Sequence, residues 1–286
     1  MNLKRLYLLF LIVILSSLTV SAVFSEEAST SESPDVSGTL FEHVLDGNTL
    51  ELFPFVPEIT LPHGITMHRL MLVLSVLLIT GFYSAWIKRG DLKPKTRTIL
   101  LESLVIFVRD DIVYPIMGEE RGAKWLPFFT TMFLFLSVLN LLGLIPALKT
   151  ATGNINVTTA MAIVVLLLTF IAGFKGLGFV HFFKNLFPEG TPLGIGIFVM
   201  LLELLSLFTK SMVLSLRLFA NMFAGHLAIL SFLVLIFVIT PFFGFISVPF
   251  SVFTYTLEVL VGLLQAFVFT LLSCIFIMMA STPEGE

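Results

Sequence analysis

Charge is scarce in this chain. Asp, Glu, Lys and Arg make up 12% of its 286 residues, roughly half the ~25% of an ordinary soluble domain. Hydrophobic residues reach 57%, with 31 Phe, and a soluble fold of this size cannot cover that much apolar surface. A basic excess is also missing. The formal net charge is −3 and no basic stripe stands out, which excludes a nucleic-acid binder. Short segments of alternating polarity are lacking, so a transmembrane β-barrel is excluded. The single cysteine, Cys274, cannot form an internal disulfide or a zinc site and reads as a small core side chain. No Walker, HExxH or GxSxG pattern occurs, so neither nucleotide hydrolysis nor an ordinary hydrolase is indicated, and no cofactor or metal is expected. What is left is an all-α polytopic membrane protein with about five membrane helices.

The segments follow from hydropathy and charge. Residues 1–25 read as a signal peptide: Lys4 and Arg5, an apolar core from Leu6 to Leu15, then Val20-Ser21-Ala22 as a small-residue cleavage site. An uncleaved anchor is the alternative. Residues 26–66 form an acidic, proline-interrupted extracytoplasmic tail, in which His43 and His63, with His68 just beyond, read as solvated histidines without metal-ligand spacing. The membrane domain is residues 67–280. Met67 to Ile87 is its first span, about 20 apolar residues long. Eight Lys or Arg between Lys88 and Lys124 make the next loop cytoplasmic by the positive-inside rule. Within that loop, residues 99–117 are apolar but carry Glu102, Arg109, Asp110 and Asp111, the pattern of an interfacial helix. The Asp110–Asp111 pair reads as solvated. Trp125 to Leu148 runs outward and Val157 to Val180 returns, with Lys175 and Lys184 at its inner end. This topology puts the mature N-terminus outside and the C-terminus in the cytoplasm, in a bacterial inner membrane.

Residues 193–280 behave differently. Leu193 to Thr240 holds 48 residues and no proline. As one helix it would be about 72 Å long, against a hydrocarbon core of about 30 Å. It therefore either folds into two spans, with Asn221 and Gly225 as the only turn candidates, or tilts steeply. Pro241 and Gly244 make a better break. A second long run, Phe245 to Ala280, follows, so the two overlong segments read as a tilted hairpin.

Four charges sit inside these runs: Glu203, Lys210, Arg217 and Glu258. Each costs about 2.5–3.5 kcal/mol at the centre of a helix facing lipid, so an intramembrane charge marks a functional site by default. At 100° per residue, Lys210 lies about 20° from Arg217, with Glu203 and Asn221 each about 40° away, so the four share one stripe. His226 falls about 180° from Arg217, on the opposite face. On the last run Glu258 and Gln265 lie about 20° apart, and Gly262 between them leaves room for another helix. Arginine stays charged in almost any site, whereas Glu and His titrate when burial shifts them. One fixed charge beside titratable groups suits ion translocation better than hydrolysis. A secondary transporter would carry a second copy of the Arg217 segment, which is absent. A passive scaffold would not need these polar groups.

Leu214 to Leu227, LSLRLFANMFAGHL, resembles subunit a of the F-type ATP synthase at Arg217, Asn221 and Ala224 to His226. LEVLVGLLQAFVFTLL agrees through Glu258 and Gln265, and Pro127, Asn140, Gly143 and Pro146 fit a weaker family pattern. The resemblance spans roughly Met67 to Met279. It implies that Arg217 faces the proton-carrying carboxylate of the rotor c-ring, flanked by Asn221 and Gln265. It also implies that Glu258 and His226 line the outer half-channel, with Asn140 near its mouth. Some family members carry Glu and His the other way round at these two positions. Glu203 would belong to the cytoplasmic half-channel, with Lys210 on the same stripe. The implied partners are the c-ring, the peripheral-stalk b subunits, the F1 head indirectly, and lipid. The resemblance further implies a non-catalytic subunit that takes part in ATP synthesis without binding nucleotide.

Overall fold

The structure is a computed structural model and describes residues 49–50, 59–60, 67–86, 96–145, 150–187, 192–238, 242 and 244–282. The signal-like segment, His43 and His63 lie outside the described residues, as does the acidic tail except for one short ladder. That ladder pairs β1, Thr49–Leu50, antiparallel with β2, Ile59–Thr60. Every other described element is helical: α1 Met67–Trp86, α2 Thr96–Phe107, a π-helical turn Val108–Val113, α3 Tyr114–Gly143, a 3-10 turn Ala151–Gly153, α4 Ile155–Gly176, α5 Phe179–Asn185, α6 Leu193–Val238 and α7 Gly244–Ser281. Four helical stretches, Glu102–Gly143, Ile155–Gly176, Gly194–Phe232 and Gly244–Ser281, are long and apolar enough to cross a membrane. α1 adds a shorter apolar stretch, Met67–Gly81.

α6 is a single helix of 46 residues, so neither Asn221 nor Gly225 breaks it. Its length, about 69 Å at 1.5 Å per residue, is more than twice the hydrocarbon thickness, so it cannot stand upright within that core. A helix with no proline has no local reason to turn; α6 ends at Val238 and α7 begins at Gly244.

The expected interfacial helix and the second span form one helical path. From Thr96 to Gly143 the only interruption is Gly118, at φ 70° and ψ 170°. That positive φ is open to glycine and strained for other residues. Helix restarts at once, because Glu119 and Glu120 sit where a helix N-terminus favours negative charge. In the π-helical turn, Arg109 forks onto both carboxylate oxygens of Asp110 at 2.7 and 3.0 Å. Asp110 is therefore paired with its neighbour in sequence and exposed, and not with Asp111.

α3 occupies the centre and packs on α1, the π-helical turn and α7, while α4 packs on α6 and α7. Phe129, Phe135, Leu136, Leu139, Val165 and Phe269 are fully buried there. Phe107 rings lie 5.9 Å from Phe133 and 5.8 Å from Phe267, which ties α2 to α3 and α7. Cys274 is buried in the same core, as expected. His68 corrects the sequence reading: it is 1% exposed, with Nδ1 3.4 Å from Asn154 Nδ2. It belongs to the start of a helix docked against the α4 entrance, so a distant segment approaches it.

The glycines near the end of α4 serve packing. Gly178, at φ 81°, separates α4 from α5. A Cβ at Gly173 would stand 2.5 Å from the Phe182 ring and 2.9 Å from the Ala280 carbonyl oxygen. Gly173→Val is thus expected to overpack the junction of α4, α5 and the end of α7, destabilising it by about 1–3 kcal/mol. A lowered thermal midpoint of the detergent-solubilised protein is the readout, and an unchanged midpoint would show that Phe182 moves aside freely.

Candidate functional site

The site lies along the contact between α6 and α7, which run antiparallel. Its register is set by two polar pairs. Asn221 Nδ2 donates to Gln265 Oε1 at 2.9 Å. His226 Nδ1 and Glu258 Oε1 are 2.6 Å apart. Stepping five residues back along α6 moves the partner seven residues forward along α7, as expected for opposed helices that cross at an angle.

Gly225 makes the second pair possible. A Cβ there would stand 2.8 Å from Glu258 Cδ and from its Oε1, so the carboxyl rests against the α6 backbone. Glu258 is 4% exposed. Asn221 and His226 stand about 140° apart around α6, yet both reach α7. Asn221 faces it squarely, while His226 reaches the Glu258 carboxyl from the flank.

A third element closes the site. The chain leaves α3 at Gly143, and at Thr150 it returns against that helix end. Thr150 Oγ1 donates to the Gly143 carbonyl at 2.9 Å and lies 2.7 Å from His226 Nε2. His226 Nε2 is 3.2 Å from the same carbonyl. Nearby, the Tyr255 hydroxyl donates to the Leu144 carbonyl at 3.2 Å. Deeper in, Asn140 Nδ2 donates to the Gly262 carbonyl at 2.8 Å. A Cβ on Gly262 would stand 3.4 Å from Asn140 Cβ, so the helix admitted by this glycine is α3.

Along α7 the polar groups therefore follow in order: Glu258, Asn140 against Gly262, then Gln265. The first and last are about 10 Å apart along the axis. Three buried polar atoms on this line have no hydrogen-bond partner: Glu258 Oε2, Asn140 Oδ1 and Gln265 Nε2. Buried polar atoms left unpaired cost about 1–3 kcal/mol each, and such groups are exceptions that call for a functional explanation.

Arg217 is one helical turn from Asn221, on the side away from His226, and its side chain is exposed on the surface of α6. Lys210 and Glu203, half-buried, follow at two and four further turns. Among the described residues, none of these three forms an ion pair. Of the eight residues singled out in the sequence, five are joined: His226 with Glu258, Asn221 with Gln265, and Asn140 with the α7 backbone. Arg217, Lys210 and Glu203 are not brought onto them. Sequence reasoning missed Thr150 and the Gly143 carbonyl. It also missed the Ser215 hydroxyl, which lies 3.1 and 3.2 Å from those of Thr159 and Thr158. Hydroxyls are too frequent for their spacing to mark them out, although Gly143 had been noted for another reason.

Comparison with known proteins places the chain in a family. Residues 69–278 match the model of the family described as ATP synthase A chain. The chain is 38% identical over 261 residues to ATP synthase subunit a of Chlorobium phaeobacteroides (strain BS1), covering 86% of this chain and 77% of that one. It is 37% identical over 280 residues to ATP synthase subunit a 2 of Chlorobaculum tepidum, covering 93% and 78%. To ATP synthase subunit a of Myxococcus xanthus (strain DK1622) it is 38% identical over 234 residues, covering 80% and 77%.

Proposed function

Since the chain belongs to the ATP synthase A chain family, we propose that it is the proton-translocating stator subunit of an F-type ATP synthase in a bacterial plasma membrane. It performs no catalysis itself. Arg217 faces the proton-carrying carboxylate of a rotor ring of small subunits and separates two half-channels. Glu258 and His226 line the outer one with Asn140 near its mouth, Asn221 and Gln265 flank Arg217, and Glu203 and Lys210 belong to the cytoplasmic one.

The observation that carries this reading is the order of groups along the hairpin. His226 and Glu258 lie toward its turn, Asn221 bonded to Gln265 comes next, and then the exposed Arg217 stands alone. Lys210 and Glu203 lie beyond it. A proton route lined by the first group is thus interrupted by a permanent cation before the second begins. An arginine cannot pass on its own proton, but it favours the deprotonated form of a carboxylate beside it. Within about 60° of Arg217 around α6, Ile195, Leu202 and Val213 are exposed and offer apolar surface to the ring.

Rotation follows from these charges. A proton arriving from outside neutralises a ring carboxylate, which can then turn into lipid without the cost of a bare charge. On the far side of the turn it releases the proton to the cytoplasmic half-channel, and Arg217 holds the emptied carboxylate ionised. The basic segment between Lys88 and Lys124 puts the α2–α3 connection in the cytoplasm. The His226–Glu258 end, at the opposite end of α3, then opens outward. Peripheral-stalk b subunits and, through them, the F1 head complete the stator.

Purification through a tag on this chain from detergent-solubilised membranes is expected to recover a ring of small hairpin subunits and a soluble ATPase head. Recovery of the chain without either would sink the assignment.

A further inference from the structure

The contacts around His226 decide its tautomer. Three atoms form a triangle: Thr150 Oγ1, His226 Nε2 and the Gly143 carbonyl oxygen, with sides of 2.9, 2.7 and 3.2 Å. The carbonyl has no hydrogen to give and the hydroxyl has one. If the hydroxyl donates to the carbonyl and Nε2–H donates to the hydroxyl oxygen, the two shortest sides are both hydrogen bonds, and the third adds a weaker attraction. If the hydroxyl instead donates to a bare Nε2, only one side is bonded. Lone pairs then face each other along the other two, in a partly buried setting where unmade bonds are costly. The first arrangement therefore holds. The contact is built into the fold: a Cβ on Gly143 would stand 2.8 Å from Thr150 Oγ1 and from its Cγ2, so Thr150 reaches this carbonyl only because residue 143 is glycine. Thr150 itself is buried.

We infer that Thr150 is a positioning residue that locks His226 with a proton on Nε2, so that the His226–Glu258 pair carries its mobile proton only between Nδ1 and Oε1. With Nε2 fixed as a donor, a neutral imidazole presents a bare Nδ1 to Oε1 at 2.6 Å. That separation requires a proton between the two atoms. Transfer across it interconverts imidazole plus carboxylic acid with imidazolium plus carboxylate, leaving atoms and total charge unchanged. The Nε2 side ends on a backbone carbonyl and is closed to proton relay. Exchange with the rest of the route therefore runs through the Glu258 carboxyl, whose Oε2 is buried and has no hydrogen-bond partner. Among the described residues, neither member of the pair has another ion-pair partner. The consequence for proton flow rests on Glu258 and His226 lying on the proton route, whereas the tautomer does not.

The test is nitrogen-15 NMR of the intact complex labelled in histidine, with His226 identified by difference from His226→Gln. The same preparations are reconstituted in vesicles for ATP-driven proton uptake. Wild type is expected to show a protonated Nε2. Thr150→Val is expected to populate the Nδ1–H tautomer and slow proton uptake about tenfold, the worth of one hydrogen bond to a positioned group. Thr150→Ser should restore both. A bare Nε2 in wild type overturns the inference, and that readout stands even if Thr150→Val fails to assemble. An unchanged tautomer in Thr150→Val also overturns it. A shifted tautomer with unchanged uptake would sustain the lock and remove the pair from the proton route. That outcome is distinct from failure of the lock itself.

Discussion

Arg217→Ala is expected to abolish ATP-driven proton pumping while the complex still assembles. Arg217 is exposed on α6 and forms no ion pair among the described residues, so its removal leaves no buried charge unpaired. The severe losses that follow from breaking a buried pair do not apply. Alanine is also the best helix former, so α6 keeps its path. What disappears is the only permanent cation between the two polar groups of the hairpin. A ring carboxylate at that position would then have nothing to favour its ionised form, and protons could pass between the half-channels without turning the ring. Fluorescence quenching by inverted vesicles measures pumping, and native gel electrophoresis measures assembly. Robust coupled pumping by the variant would refute the role given to Arg217.

Glu258→Gln is expected to slow proton translocation by about 10²-fold, the lower end of what a positioned proton-transfer group supplies, and less than Arg217→Ala does. The amide matches the carboxyl in size, so it still fits against Gly225, where a Cβ would already be 2.8 Å from Glu258 Cδ. It can also keep a hydrogen bond to His226 Nδ1. It cannot take up and release a proton. The expectation of an incomplete loss rests on the proposed half-channel, along which Asn140 and Gln265 still hold buried polar atoms without hydrogen-bond partners. The rate of quenching under the same conditions gives the comparison. Equal inactivity of the two variants would overturn the ranking.

The two expectations differ because the residues occupy different surroundings, which helical angles only partly revealed. The stripe of Glu203, Lys210, Arg217 and Asn221 follows from 100° per residue. Along that stripe the tertiary structure treats the members differently: Asn221 turns onto Gln265, while Arg217 stays exposed. His226 falls on the opposite face from Arg217, and its partners come from α7 and from the chain beyond α3, segments that no periodicity in α6 identifies. Thr150 was invisible for the same reason. It lies 76 residues from His226, and a lone threonine in a short polar connection carries no pattern. His68 misled because it stands at the boundary of the acidic tail in sequence, while Asn154, which approaches it in space, lies 86 residues away.

By itself the sequence determined the solvent, the helical class, the basic segment between Lys88 and Lys124, and the overlength of the last two segments. Each of these depends on local composition, which acts wherever the chain happens to fold. Lipid cannot satisfy a bare backbone polar group, so long apolar runs become helices before any packing is chosen. The family was also legible, through a short string around Arg217. Only the tertiary structure decided which polar groups meet. Register between α6 and α7 is fixed by close approach at Gly225 and by hydrogen bonds spanning 32 and 44 residues, while α3 meets α7 at Gly262 through a bond spanning 122. Such contacts form by the meeting of surfaces, and no local spacing encodes them. The few charges in a nearly uncharged chain could be found by reading along it. Their pairing, and the isolation of Arg217 from them, required the fold.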